Sequence, residues 1–79
     1  MTITRQRLIG FDPGLRKTGW GIIDVDGARL SHVANGIVKT DNELSLAERL
    51  VQLYDGLSLV ITEWEPASAA VEETFVNKN

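Results

Sequence analysis

Apolar positions alternate with polar ones through the first part of the chain and recur every three or four residues from Ser45 onward. This change of period separates a β-rich half from a helical segment. Leu8, Ile9 and Phe11 form a short apolar run of the kind that pairs inside a sheet. Asp12 follows directly before Pro13-Gly14, which cannot continue a regular central strand. Thr18 to Val25 reads as a second strand, and Asp26-Gly27 is a two-residue hairpin signal. A third strand then runs roughly from Ala28 to Lys39, with Asn35-Gly36 predicting a bulge or bend inside it. Gly19 and Gly21 flank Trp20 and leave one face of the second strand bare, as where a backbone or ligand approaches closely or where a strand bends.

Leu46, Leu50, Leu53, Leu57, Ile61 and Trp64 mark one face of a helix, and a leucine stripe at this spacing is expected to be core packing. Ser45 with Glu48 forms a capping box at its start, and Glu65-Pro66 ends it, because the residue before proline disfavours helical geometry. Gly56 is a soft spot within it. Ala67 to Glu73 then reads as a fourth strand. A strand, a long helix and a further strand favour a parallel pair joined by a right-handed crossover, which sets the fourth strand beside the first with both ending at one sheet edge. The predicted architecture is α/β, with a three-stranded antiparallel meander, a crossover helix and a fourth strand parallel to the first.

Seventy-nine residues allow one small domain with a thin core. Hydrophobic content of 43% and charged content of 24% are ordinary for a globular chain. The absence of Cys excludes disulfides and thiolate metal sites and is compatible with a cytoplasmic location. No early apolar run is long enough for a signal-peptide core or a membrane span, so a soluble protein without a membrane partner is expected. The net charge of -3 opposes the basic footprint of a nucleic-acid binder. The acids, however, concentrate between Asp41 and Glu73, whereas Arg16, Lys17, Lys39 and Lys78 fall in or near turns and ends, so a local basic rim can coexist with an acidic total.

Asp12 alone could be a turn-initiating residue. A second acid ending the neighbouring strand changes this, because adjacent strands lie about 4.8 Å apart and two carboxylates there repel unless a cation lies between them. Mg²⁺ suits such a pair. It takes oxygen ligands, often only one or two protein carboxylates, and fills its octahedron with water and phosphate. Strand parity lets only one of Glu72 and Glu73 face Asp12.

The stretch FDPGLRKTGWG at residues 11 to 21, followed by AVEETF at 70 to 75, resembles the RuvC Holliday-junction resolvases, and the likeness extends from about Leu8 to Asn79. The resemblance implies a ribonuclease-H-like fold, a homodimer, partnership with a branch-migration helicase complex, and cutting of four-way DNA junctions with two Mg²⁺ ions. Carried over by position, Asp12 and Glu72 match catalytic, metal-binding acids, and Phe75 matches an aromatic presented to junction DNA. Arg16, Lys17 and Lys78 are candidates for phosphate contact. His32 has no partner acid at metal spacing and reads as structural.

The family is roughly twice this length, so residues 1–79 are expected to be the N-terminal half of one nuclease domain. Its later acidic ligands and the helices covering the second sheet face have no counterpart here. Two carboxylates are too few to position two ions, so the chain alone is expected not to cleave junctions, and its open edge and face favour self-association. The rival readings are the phosphate-binding hairpin of sugar kinases and actin-like ATPases, the shorter resolvase-like nucleases of RNA processing, and a non-catalytic module that keeps the fold. Leu15-Arg16-Lys17 stands where the ATP-binding hairpin usually carries hydroxyl residues, and Glu72 weighs against the non-catalytic module.

Overall fold

Four strands and one helix make up the computed structural model, which describes residues 5–14 and 16–71. They are β1 (Arg5–Asp12), β2 (Lys17–Asp26), β3 (Arg29–Lys39), α1 (Leu46–Trp64) and β4 (Ser68–Val71). The sheet order is β3-β2-β1-β4, with β1 antiparallel to β2, β2 antiparallel to β3, and β4 parallel to β1. This is the predicted meander and crossover. The part of the predicted fourth strand beyond Val71 lies outside the described residues.

Alternation along β1 and β2 sorts the two faces. Arg7, Ile9 and Phe11 share a face with Asp24, Ile22 and Trp20, their register partners. Ile9 and Ile22 face each other across that pair and are 1% and 0% exposed, so the core is centred on them, beneath α1. The opposite face carries Leu8, Gly10 and Asp12 against Ile23, Gly21 and Gly19, and no described element covers it.

Three local expectations are corrected. The predicted bulge at Asn35-Gly36 is displaced, because Ile22 pairs with Ala34 and Ile23 with His32, which leaves Val33 as the extra residue. Gly36 stays in register opposite Trp20. A Cβ there would stand 2.6 Å from the indole, so this glycine makes room for a ring rather than bending the strand. The hairpin loop is Gly27-Ala28, one residue later than predicted, between paired Asp26 and Arg29. Gly27 takes a φ of +62° at its first position, as in a type II′ turn.

The leucine stripe is only partly core. Leu53, Leu57 and Trp64 are half-buried, whereas Leu46, Leu50 and Ile61 are exposed. The helix rests on β3 and approaches it most closely at Gly56, a rotation that leaves Leu46, Leu50 and Ile61 outside. Gly56 is what permits the close approach, since a Cβ at this position would lie 2.6 Å from Val38 Cγ1.

Both helix ends follow the sequence. The Ser45 side chain accepts from the Glu48 amide, and the Glu48 carboxylate accepts from the Ser45 amide. At the other end Glu65 adopts a left-handed φ of 48° before Pro66, and its amide donates to the Ile61 carbonyl. No basic residue lies in the last helical turn, but Arg7 on β1 donates to the Trp64 carbonyl at 3.3 Å and places a cation at the negative end of the helix. The Ala67 amide then donates to the Arg7 carbonyl at 2.7 Å and leads the chain into β4.

Candidate active site at the end of the first strand

Asp12 is the last residue of β1, exposed, on the uncovered face, with Gly19 of β2 opposite. The absence of a side chain on Gly19 leaves its flank open, and a Cβ there would sit 3.8 Å from the Asp12 Cβ. Gly10 and Gly21 continue this bare floor, each with nothing within 4 Å of a built Cβ. Together with Asn35, Ile37 and Ala70 they floor a trough of about 620 Å³ that opens beside Asp12. The bareness read from Gly19 and Gly21 is therefore real, and it belongs to the same face as the candidate acid.

Asp24 on β2 has the opposite environment. Asp24 lies on the helix-covered face, where Arg7 binds it through two bonds, Nε to Oδ1 at 2.8 Å and Nη2 to Oδ2 at 3.0 Å. Hydrogen bonding to Arg7 holds the Asp24 carboxyl below its ordinary range against the opposing effect of burial, and the same bond raises the Arg7 guanidinium. The guanidinium also lies 5.9 Å from the Trp64 ring centroid. This ion pair ties β1, β2 and the end of α1 together. Asp12 makes no hydrogen bond or ion pair with any described residue, so its carboxylate is available to something outside them.

The parallel pairing of β1 with β4 sets the rest of the edge: Gly10 pairs with Ala70, and Phe11 with Val71. Glu72, Glu73, Phe75 and Lys78 lie outside the described residues. Arg16 is exposed in the turn, and its carbonyl accepts from the Thr40 amide at 3.1 Å. Lys17 begins β2 directly opposite Lys39 at the end of β3. Like charges in register are unfavourable by themselves, and this pair sits at the same sheet end as Asp12. Sequence reading placed both in a local basic rim but named only Lys17 as a phosphate contact, and only the strand register shows that they face each other. It also passed over Arg49, whose position within the helical pattern hides that it returns to the turn. His32 is exposed at the sheet edge with Nε2 3.2 Å from Asn35 Oδ1, consistent with a structural part.

The family model for the crossover junction endodeoxyribonuclease RuvC matches residues 8–79. The chain belongs to the RuvC family. It is 60% identical over 73 residues to RuvC of Rhodospirillum rubrum, covering 92% of this chain and 43% of that relative. It is 49% identical over 79 residues to RuvC of Nitrobacter hamburgensis, covering 100% of this chain and 46% of that one. Among solved structures, Thermus thermophilus RuvC in complex with Holliday junction substrate superposes with a TM-score of 0.80 at 28% identity, over 94% of this chain and 46% of that one. The chain thus spans under half the length of the RuvC relatives it matches, and its sheet and helix are those of the ribonuclease-H-like fold of RuvC.

Nucleases of this family are generally metal-dependent, and the donor chemistry at the strand end fits a hard cation: an exposed carboxylate with oxygen donors only and no described cation paired to it. Among the described residues no cluster of three or more His, Asp or Glu could hold an ion without further ligands. None of their helices is long and apolar enough to cross a membrane.

Proposed function

We propose that this chain supplies the N-terminal half of a Mg²⁺-dependent endonuclease domain that hydrolyses the DNA backbone at four-way junctions. The observation that carries this reading is the β1–β4 register. Gly10 lies opposite Ala70 and Phe11 opposite Val71, and the same parallel pairing carried one residue further would set Glu72 beside Asp12 on the uncovered face and turn Glu73 to the other. The parity that left two candidates open in the sequence thereby favours Glu72. Asp12 and Glu72 would hold Mg²⁺, which when bound supplies Lewis-acid stabilisation and an activated water for phosphodiester hydrolysis.

The protein residues have separate tasks in this reading. Asp12 and Glu72 present oxygen donors from adjacent strands, the glycine floor lets a nucleic-acid backbone come down onto the sheet end, and Arg16, Lys17 and Lys78 meet its phosphates. Phe75 stacks on an unpaired base at the junction centre. The complete protein works as a cytoplasmic homodimer with a branch-migration helicase complex. The junction-bound Thermus thermophilus relative supports the choice of substrate.

The test is paramagnetic broadening of amide resonances in the 79-residue chain by Mn²⁺ standing in for Mg²⁺. Broadening should centre on Gly10, Phe11, Asp12 and residues near 72, and Asp12→Asn or Glu72→Gln should remove it. Broadening elsewhere, or insensitive to both substitutions, would overturn the assignment. The chain alone should show no junction cleavage, and Asp12-dependent cutting by it would refute the half-site reading.

A further inference from the structure

Lys17 and Lys39 stand directly opposite each other at the end of the β2–β3 ladder, and neither makes a hydrogen bond or ion pair with any described residue. Their neighbours fix the face they occupy. Thr18 is 4% exposed and Val38 borders Gly56 of the helix, so both point beneath α1, and strand alternation turns Lys17 and Lys39 to the uncovered face. Gly19 and Ile37 form the next register pair on that face, and Gly19 is the residue opposite Asp12. The lysine pair therefore borders the trough just beyond Asp12, about 7 Å further along the strands.

The spacing of the two cations follows from the ladder. The Thr40 amide donates to the Arg16 carbonyl at 3.1 Å, which makes Arg16 and Thr40 the hydrogen-bonded pair and Lys17 and Lys39 the closer, non-bonded one. Side chains are nearest in such a pair, so the two ammonium groups can meet a single small anion. Thr40 is also tied to the helix, because its hydroxyl accepts from Arg49 Nε at 3.3 Å. The strand end that carries Lys39 is thus anchored on both sides. No acid among the described residues relieves the repulsion: Asp41 Oδ1 accepts from the Glu43 amide at 2.9 Å, and Asp12 is ion-paired to neither lysine. An anion between two fixed cations removes that repulsion, and a phosphate group offers an oxygen to each ammonium.

We propose that Lys17 and Lys39 together hold one backbone phosphate of the DNA strand engaged at Asp12, with Lys39 a positioning residue for the junction nuclease. That the anion belongs to DNA rests on the proposed function, whereas the anion site rests on the register and the face. A phosphate held there fixes the course of the strand over the glycine floor and aligns the neighbouring phosphodiester with the acid. Lysine acts as a point charge, so the grip carries no base-sequence preference.

Three measurements on the 79-residue chain test the pair. At low ionic strength Lys17→Gln and Lys39→Gln should each raise the melting temperature by roughly 1–6 °C, and the double variant should gain little more, because one substitution already removes the repulsion. Inorganic phosphate should move the side-chain resonances of both lysines in the unaltered chain and leave the remaining lysine unmoved in each single variant. With four-way junction DNA, the double variant should bind about tenfold more weakly and lower the slope of log K against log salt by about one, since one phosphate is shared, and Lys39→Arg should keep the slope. Absence of the melting rise, phosphate shifts that avoid the lysines, an unchanged slope, or a slope change of about two from separate contacts would each overturn the shared site. Self-association of Lys39→Gln with an unchanged slope would make Lys39 a guard of the β3 edge and overturn it as well. Mn²⁺ broadening at Asp12 decides the functional reading separately. Should that fail, or the unaltered chain lack junction affinity, the melting and phosphate measurements alone support or overturn the anion site.

Discussion

Gly56→Ala tests whether the helix is seated on β3 by close backbone approach. In an exposed helix interior this substitution is worth about 1 kcal/mol in favour of alanine. Here the added Cβ would meet Val38 Cγ1 at 2.6 Å, Cγ2 at 3.3 Å and Cβ at 3.5 Å, whereas carbon pairs prefer roughly 3.5–4.0 Å. Val38 cannot turn aside cheaply, because a β-branched side chain has few χ1 alternatives, and both methyls already border the glycine. Overpacking of this kind costs roughly 1–3 kcal/mol, so the net effect is about 0–2 kcal/mol of destabilisation. In a Val38→Ala background the obstruction is gone and the same Gly56→Ala change should stabilise by about 0.5–1 kcal/mol. Urea unfolding followed by far-ultraviolet circular dichroism gives the four stabilities, and the coupling energy should be roughly 1–3 kcal/mol. Equal stabilisation by Gly56→Ala in both backgrounds would refute the close seating.

Gly36→Val places a side chain 2.6 Å from the Trp20 indole and should cost roughly 1–3 kcal/mol, with a change in tryptophan fluorescence in the folded state. Ser45→Ala removes the cap and should lower stability by about 1 kcal/mol, read as a melting shift of roughly 4–8 °C. Because the folded state holds the Asp24 carboxyl below its ordinary range, its contribution is complete above a pH of about 4 and is lost as pH falls through the lower folded value. The raised Arg7 contributes at every pH below the arginine range and is lost only on strong alkalinisation, so the acid limb belongs to Asp24, with Glu48 adding in the same sense. Thermal melts should therefore show the gap between the unaltered chain and Asp24→Asn narrowing below pH 4, and a constant gap would contradict the pairing.

The strand order, the parallel return and the helix bounds were legible because each depends on local chemistry: a Pro-Gly stop after Asp12, a glycine turn after Asp26, a Ser-Glu box and a Glu-Pro break. What needed three dimensions was the partner of each glycine. Gly36 and Gly56 have the same local signature, a weak point in a strand or helix, yet one receives an indole from a neighbouring strand and the other a valine from beneath the helix. The Leu46–Trp64 stripe fixed that a helix forms but not how it is turned on the sheet, because its apolar arc is wider than the strip β3 offers. Asp12 was visible as a strand-end acid. Arg49 was not, since its relation to Arg16 runs through Thr40 and exists only after β3 has returned to the turn.

Asp12 and Asp24 of the first hairpin show how the fold separates an open charge from a paired one. Twelve positions apart, Asp12 and Asp24 are chemically identical. Strand parity sends Asp24 to the face that α1 covers, and the β1–β2 register delivers Arg7 directly opposite it. That charge is buried only because its partner is brought by the same pairing. Asp12 falls on the other face, opposite a glycine rather than a cation, and the β1–β4 register runs toward a further acid instead. The register that neutralises one carboxylate leaves the other exposed beside a bare floor, without a partner among the described residues. A one-residue slip of β2 against β1 would turn Asp24 to the uncovered face and part it from Arg7 while leaving Asp12 where it is, so the pairing that stabilises the sheet is also what holds the two acids apart.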